Sequence, residues 1–544
     1  MKRIIFFNYI LLIITVFCVS CNDGFLERKP LDRISSEDAW KDPVLMEAYV
    51  NDAYSRMPNG FNNYNWLHSL CDEGGQRGRA DYQTFYTQGP TSTNLVPFPF
   101  WEPYYGIINR SNNLLDHVKD QTFDATVQPR VNRMIGEMKF LRAYSYSKLI
   151  ALFGGVPLIT KQLQLNDDLL VPRNTYDECV DFIVRELDEA AALLDVSYTG
   201  SNIGKATRGA ALSIKARVLL YHASPLNNTA NDRSRWQKAA DAAKAVIDMG
   251  VYNLYPNYKE MFTVNALFNV EQIWLRLFNN KVRVEHSLEQ WFFPNGSAGY
   301  CQPYPIHNAT EFFEMKATGL LPKDDPAFDP QNPYVGRDPR FYDCISYDGA
   351  PWQGREIETF LPGGLDSPQS PSEPQNASPG GYYARKFIDE SIIRPTSSTC
   401  SNAAYPYIRY GEVLLNYAEA MFYLGNEDEC RKYLNIIRDR PSVQMPHITE
   451  TGSKLEERLR NERYVELYYE DHRFFDIRRW RIAMQAANVQ ADRISITKDP
   501  VTGKKTYEVV KLVDRVFLEH HHVLPIPQGE IDKNPNLQQN PGYY

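Results

Sequence analysis

The sequence predicts a mostly helical protein in which paired helices form a scaffold and long loop-rich segments are attached to it. Apolar residues recur at helical spacing in two separate parts of the chain, 101–250 and 408–480. Short turns separate many of these helices, which indicates stacked hairpins of the tetratricopeptide kind. Two other segments, 59–100 and 251–407, are rich in glycine, proline, asparagine and aromatic residues. Their aromatic content argues against disorder.

The N-terminal residues have the composition of a secretory signal peptide. Lys2 and Arg3 precede an apolar run over 4–19, and Ser20 and Cys21 follow it. The ending Cys-Val-Ser-Cys resembles a bacterial lipobox, whose cysteine becomes the lipidated first residue of the mature chain. An ordinary signal peptide with a chance cysteine is the alternative. We predict a signal peptide over 1–20 and a lipidated, extended tether over 21–42, with Cys21 as the membrane attachment.

Four helices are predicted before residue 250, each with a recognisable start or stop. Their signals are, in chain order, apolar spacing from Val131 that Gly154-Gly155-Val156-Pro157 stops, a capping box of Thr175 and Glu178, a helix from about Ala211 that ends near Pro225, and a start at Ser234 with Gln237 three residues later. Three more follow late in the chain: Val413 to Met421 closed by Gly425, a helix opened by Asn426 and Glu429, and one capped by Ser453 and Glu456 that runs to about Tyr469.

These signals divide the mature chain into parts of one domain over 43–544. The predicted parts are a helical scaffold over 43–58, 101–250 and 408–480, a loop-rich binding elaboration over 59–100 and 251–407, and a C-terminal extended segment over 481–544. Because function tends to reside on loops held by a rigid frame, the binding site is expected in the loop-rich parts.

Composition excludes several classes of function. The net charge is −8, and no block of lysine and arginine occurs, so nucleic acid is not an expected partner. The six cysteines after Cys21 are scattered without a CxxC pair, which disfavours a structural zinc site and allows no assignment of disulfides. The 35 tyrosines suit flat contact surfaces that have a polar edge.

Short motifs in a fixed order connect the chain to a known family. They include LRAYSY at 141–146, FGGVPL at 153–158, KARVLLY at 215–221, GRDPRF at 336–341, RYGEVLLNYAEA at 409–420, RNER at 460–463, LPIP at 524–527 and NPNLQQNPGY at 534–543. In these motifs the chain resembles the SusD/RagB family of outer-membrane nutrient-binding lipoproteins, and the resemblance covers nearly the whole mature chain.

The resemblance implies a fold, a function and a partner. It implies four tetratricopeptide-like hairpins, and a lipoprotein anchored in the outer membrane of a Bacteroidetes-type bacterium and facing outward. It implies capture of a glycan or another nutrient for a SusC-like TonB-dependent transporter, without catalysis or a cofactor. Secreted glycoside hydrolases and protein-binding helical-repeat adaptors remain the alternatives.

Two aromatic stretches are the candidate binding site. Sugars present apolar faces ringed by hydroxyls, so a site needs flat rings flanked by hydrogen-bonding side chains. The candidate ligand-binding residues are Trp66, Asp72, Arg77, Tyr82, Tyr86, Trp291, Phe293, Tyr300 and Trp352. Any of these rings can instead belong to the core, so the prediction concerns the two stretches jointly.

Two further patterns could indicate catalysis or metal binding, but a structural role explains each of them more simply. Glu462, Glu466 and Glu470 share one helix face, as paired carboxylates of a glycosidase would. Neighbouring arginines lower carboxyl pKa values, so a salt-bridge network is the preferred reading; the arginines in question are Arg458, Arg463, Arg473, Arg478 and Arg479. His520-His521-His522 lies before apolar residues and is read as an extended packed segment, in which consecutive side chains diverge and bind no metal.

Overall fold

A computed structural model describes residues 39–61, 66–95, 100–282, 284–396, 398–486 and 490–543. The predicted signal peptide, Cys21 and nearly all of the tether lie outside these ranges. The α-helices described are α1 Pro43–Ser55, α2 Ala80–Gln88, α3 Trp101–Val118, α4 Gln128–Phe153, α5 Tyr176–Leu193, α6 Arg208–Ala223, α7 Arg233–Asp248, α8 Leu288–Phe292, α9 His307–Thr310, α10 Pro339–Cys344, α11 Tyr410–Tyr423, α12 Glu427–Arg438, α13 Gly452–Glu466, α14 Arg473–Arg479, α15 Ala483–Ala486 and α16 Gln528–Lys533.

The long helices form one continuous array. Each helix from α3 to α7 packs on the next one in sequence, and α1 packs on α3 and α4. After the second loop-rich segment the chain returns to this array, because α11 packs on α7 and then contacts α12 and α13. Apolar side chains of all these helices share one large core. The predicted mostly helical scaffold is therefore confirmed.

The N-cap residues of the helices agree with the predicted ones in some helices and differ in others. Thr175 and Glu178 form the predicted capping box of α5, with Thr175 N donating to the Glu178 carboxylate at 2.8 Å. The start of α7 is Asp232 and not Ser234, because the Asp232 carboxylate accepts the Ser234 N–H at 2.8 Å. The start of α13 also lies earlier than predicted, with Thr451 as its N-cap.

Short strands pair in twos within the loop-rich parts and near the C-terminus. The antiparallel pairs are β1 Gly74–Gln76 with β3 Pro303–Pro305, β2 Gln272–Arg276 with β8 Tyr405–Arg409, β4 Ile345–Ser346 with β7 Tyr383–Ala384, β5 Pro351–Trp352 with β6 Arg355–Glu356, and β9 Ala491–Lys498 with β10 Lys505–Val513.

The loop-rich segments enclose a second core. It consists largely of phenylalanine, tyrosine and tryptophan side chains, many of them in ring–ring contact. Aromatic residues bury a large area each, so relatively few of them can hold irregular backbone in one conformation. This explains how segments with few helices or long strands are ordered.

The C-terminal segment is only partly extended. The hairpin of β9 and β10 is extended, but α15 and α16 flank it. The triplet predicted as extended, His520–His522, lies in a 3-10 turn over Glu519–His522, in which His521 N donates to Leu518 O at 2.9 Å. His521 and His522 are buried and meet the Phe517 ring edge-on. The turn forms because these rings pack on one aromatic side chain.

None of the helices described here combines the length and hydropathy required of a membrane-spanning segment.

Candidate functional site

The two loop-rich segments meet through a strand pair. Gly75 of β1 lies opposite Tyr304 of β3, and Arg77 N donates to Gln302 O at 2.7 Å just beyond the paired residues. A Cβ on Gly75 would lie 2.6 Å from the Tyr304 ring. Only glycine therefore permits this close approach of the two segments. The two aromatic stretches, which were predicted to line one site, thus meet at this strand pair.

Ring contacts continue the junction away from the strands. Trp66, from the first stretch, meets Trp291 and Phe292 of the second, with ring centroids 6.3 and 6.1 Å apart. Trp66 and Phe292 are each 1% exposed, whereas Trp291 is half-buried. Trp291 is thus a partly exposed ring that meets the buried ring of Trp66.

Trp291 and Tyr300 form a ring pair at the surface. Their centroids lie 5.3 Å apart with the planes inclined by 58°, and both side chains are half-buried. Two backbone bonds fix their positions: Tyr300 N donates to Gln290 O at 2.8 Å and Gln302 N to Trp291 O at 2.9 Å. These bonds fix the backbone that carries both rings.

Polar side chains surround this ring pair. Arg77 donates from Nε to Tyr300 O at 3.0 Å and from Nη1 to Gln375 O at 2.7 Å, so it joins three loops. Gln76 Nε2 donates to Gln302 Oε1 at 3.3 Å. Gln302 is half-buried and Gln375 exposed. Planar donors and acceptors thus lie beside flat rings, which is the arrangement expected of a sugar-binding surface.

Six of the nine predicted ligand-binding side chains are buried, which corrects their assignment. The six are Trp66, Asp72, Tyr82, Tyr86, Phe293 and Trp352, each at most 7% exposed. Side chains this enclosed contact protein, so they belong to the support of the site. Arg77, Trp291 and Tyr300 are the three that reach the surface.

The buried six have identifiable structural partners. Asp72 accepts two hydrogen bonds from Arg473, at 2.8 and 2.7 Å. Tyr82 Oη accepts the Trp66 N–H at 3.2 Å. Trp352 donates from Nε1 to Ser297 Oγ at 3.0 Å, and its ring meets Phe293 edge-on. The Arg515 guanidinium lies over the Tyr86 ring, 4.8 Å from its centroid. Sequence reasoning could not distinguish these rings from surface rings because both occur in the same irregular segments.

The row of three glutamates lies inside the protein. Glu462, Glu466 and Glu470 are at most 6% exposed, and each forms ion pairs with two or three basic groups. The pairs join Glu462 to Arg340 and Arg438, Glu466 to Arg340, Arg409 and Arg440, and Glu470 to Arg409 and Lys386. Burial by itself raises the pKa of Glu466, but the three guanidinium groups outweigh burial and lower it. The lowered pKa values of Glu462 and Glu466 keep these two carboxylates ionised, which makes them unsuited to act as a general acid.

The basic partners of this row differ from those predicted. Arg463 pairs with Asp476 at 2.8 Å, Arg473 with Asp72 and Arg479 with Glu419. Arg458 pairs with Glu314, and Arg478 lies over the Phe474 ring, 3.5 Å from its centroid. The salt-bridge network is real, but the groups that neutralise the row come from distant positions. Two of them, Arg340 and Arg409, lie in the motifs GRDPRF and RYGEVLLNYAEA, which is the sequence signal that could have located these two.

Acid should weaken this network. The folded-state pKa values of Glu412, Glu462, Glu466 and Asp476 are lowered, since guanidinium groups outweigh the opposing effect of burial. A lowered pKa stabilises the fold above the unfolded-state pKa of about 4, and that stability is lost as pH falls below it. The half-buried carboxyl of Asp343 has a pKa raised by burial to about 6, so its effect on stability falls above this pH range. We expect the urea concentration at the unfolding midpoint to decrease as the pH is lowered from 4 to 2. An unchanged midpoint would contradict the ionised pairing of these carboxylates.

The architecture is that of a helical-scaffold protein with an aromatic, loop-rich elaboration. The model of the SusD family matches residues 270–543, and a second family model, described as "Starch-binding associating with outer membrane", matches residues 24–220. Because the first match covers half of the chain, this protein belongs to the SusD family.

Relatives and solved structures agree with this assignment. The SusD-like protein P38 of Formosa agariphila is 22% identical over 98% of both chains. A SusD-like carbohydrate-binding protein of Bacteroides fragilis has a crystal structure with TM-score 0.79 and 25% identity, over 92% of this chain and all of that one. A laminarin-binding SusD-like protein has TM-score 0.68 and 21% identity, over 92% of this chain and all of that one.

Proposed function

We propose that this protein is a glycan-binding lipoprotein of the outer membrane that captures oligosaccharide and passes it to a SusC-like TonB-dependent transporter. The half-buried ring pair of Trp291 and Tyr300, which meets the buried Trp66 ring and has Arg77 and Gln302 bonded to its backbone, is the observation that carries the proposal. The similar carbohydrate-binding and laminarin-binding SusD-like proteins support the same ligand class.

The proposed mechanism is binding without bond cleavage. The apolar face of a sugar ring would lie against Trp291 or Tyr300, and Gln302 and Gln375 would exchange hydrogen bonds with its hydroxyls. The lipid on Cys21 would keep the protein beside the transporter, which raises the local concentration of captured ligand there. The outward-facing position on the cell remains part of this proposal.

The two alternatives are less well supported by the geometry. A glycoside hydrolase needs two accessible carboxyl groups, but Asp72 is bound by Arg473 and Glu73 is fully buried. Burial, and then the charge of Asp72, raise the pKa of Glu73, yet no sugar can reach it. A protein-only adaptor would need no surface ring pair. The six buried aromatic-stretch residues fit that reading, whereas Trp291 and Tyr300 favour a glycan.

A panel of polysaccharides and oligosaccharides tests the proposal. We expect the mature protein to bind at least one family of glycans and to release no new reducing ends during prolonged incubation with it. New reducing ends would indicate a hydrolase. A blank panel, combined with copurification of the transporter, would favour the adaptor reading.

A further inference from the structure

A cavity lies between the helical scaffold and the loop-rich part. It has a volume of about 40 Å³ and is bounded by α3, α4, β8, residues 58–60 and the start of α14. At about 10–15 Å³ for each water molecule, it has room for three waters or for a carboxylate with one or two carbons. It is separate from the Trp291–Tyr300 surface and shares no lining residue with it.

Two tyrosine side chains line this cavity, and neither hydroxyl has an acceptor among the described residues. The side chains of Tyr104 and Tyr144 are 4% and 1% exposed, and no hydrogen bond joins either hydroxyl to the residues described here. Their neighbours differ, since Tyr407 donates to Pro58 O at 2.9 Å and Tyr405 to Asp471 at 3.3 Å. Burial raises the pKa values of Tyr104 and Tyr144 well above their usual range, so both remain donors. Both hydroxyls are therefore available to an acceptor that enters the cavity.

Lys148 adds a cation to the same wall. It lies one turn after Tyr144 on α4, with its ammonium 5.6 Å from the Tyr144 ring centroid and 5.4 Å from that of Phe475. Within the described ranges, no carboxylate forms an ion pair with this ammonium. Burial, assisted by Arg217, lowers the pKa of Lys148 to about 7. Lys148 is half-buried, and a cation that lacks a counter-ion at the wall of a cavity attracts an anionic group.

The charged groups that face Lys148 are occupied by other partners. Glu412 accepts hydrogen bonds from Arg217, and Asp471 accepts from His68 N at 3.1 Å and interacts with His68 Nδ1 at 3.0 Å. Burial lowers the pKa of His472 well below its ordinary value, so this neighbour is neutral. The two carboxylates therefore do not satisfy the ammonium.

Two residues of the cavity wall have unusual backbone requirements. Asp471 has φ +63, a left-handed conformation that non-glycine residues rarely adopt. A Cβ on Gly60 would lie 2.8 Å from Asp471 Oδ2 and 2.5 Å from the Tyr405 ring. Glycine at position 60 and the left-handed backbone at position 471 give the wall this shape.

We propose that this cavity binds a carboxylate group, with the Lys148 ammonium as its counter-ion and the Tyr104 and Tyr144 hydroxyls as hydrogen-bond donors. The carboxylate can come from a small free acid or from a uronic acid residue of a glycan, whose ring would sit at the mouth. This inference does not depend on the proposed glycan surface.

Saturation-transfer NMR titrations can test the site with two matched ligand pairs. The pairs are acetate against acetamide and glucuronate against glucose, each measured with wild type, Lys148→Met, Tyr104→Phe and the control Lys119→Met, whose lysine is 60% exposed. We expect acetate to bind at least tenfold more tightly than acetamide, Lys148→Met to weaken it about tenfold, and Tyr104→Phe about threefold. Affinity should increase from pH 8 to pH 6, as Lys148 becomes protonated.

The two sources give different outcomes. Binding of acetate alone indicates a free acid, and binding of glucuronate as well indicates a uronic acid residue; both support the site. Glucuronate binding that Lys148→Met abolishes and Trp291→Ala preserves assigns it to this cavity rather than to the ring pair. Equal binding of acetate and acetamide, or acetate binding that Lys148→Met leaves unchanged, would overturn the proposal.

Discussion

Replacing Arg409 by methionine should lower the free energy of unfolding by about 3–5 kcal/mol, since it leaves buried carboxylates without their counter-charge. Arg409 is 1% exposed and donates to Glu271 at 2.7 Å, to Glu466 at 2.8 Å and to Glu470 at 2.7 Å. Methionine fills a similar space, so lost packing contributes little to the expected change.

Urea unfolding followed by circular dichroism measures this effect. The matched control is Lys454→Met, because Lys454 pairs with Glu457 on the surface, where the side chains are 71% and 63% exposed. Exposed pairs contribute about 1 kcal/mol or less, so the control should resemble wild type. If Arg409→Met also falls within that range, the network does not hold the fold together.

The network explains why the irregular segments have a fixed position. Arg409 ends β8, Glu271 precedes β2, and Glu466 ends α13. One cluster of charges thus joins the loop-rich part to the last helices of the scaffold. Because each partner is buried, a displaced loop would expose charges to an apolar interior, which strongly disfavours alternative arrangements.

The fold was largely predictable from sequence because helices carry local signals. The capping box at Thr175 and Glu178 and the Gly154 stop of α4 were placed correctly from short-range patterns. The start of α7 was misplaced since two capping residues, Asp232 and Ser234, stand close together. The pairing of β1 with β3 joins residues more than 200 positions apart, and no local pattern specifies such a contact.

The sequence predicted a region for the candidate site but not which of its side chains reach the surface. Sequence located both aromatic stretches, and the structure joins them. It could not separate Trp66, which is core, from Trp291, which reaches the surface, because exposure depends on tertiary packing. The role that we propose for Lys148 was not predicted for the same reason. In the sequence it resembles any surface lysine of an amphipathic helix, and only the structure places it at the cavity.

Replacing Trp291 by alanine should weaken glycan binding about tenfold to a hundredfold without unfolding the protein. Loss of a surface ring that stacks on a ligand costs about 1.4–2.8 kcal/mol of binding, in the range of a binding hot spot. Trp66→Ala is the structural contrast, because it removes a ring that is 1% exposed and should cost about 3–5 kcal/mol of stability. The two tryptophans, whose rings touch, should thus give opposite kinds of defect.

The most direct test is a calorimetric titration of the oligosaccharide that wild type binds into three proteins: wild type, the double variant Trp291→Ala with Tyr300→Ala, and the control Phe268→Ala. Phe268 is an aromatic side chain 52% exposed on another loop. The account predicts that the double variant loses measurable binding while it remains folded, and that the control binds like wild type. Wild-type affinity in the folded double variant would contradict it.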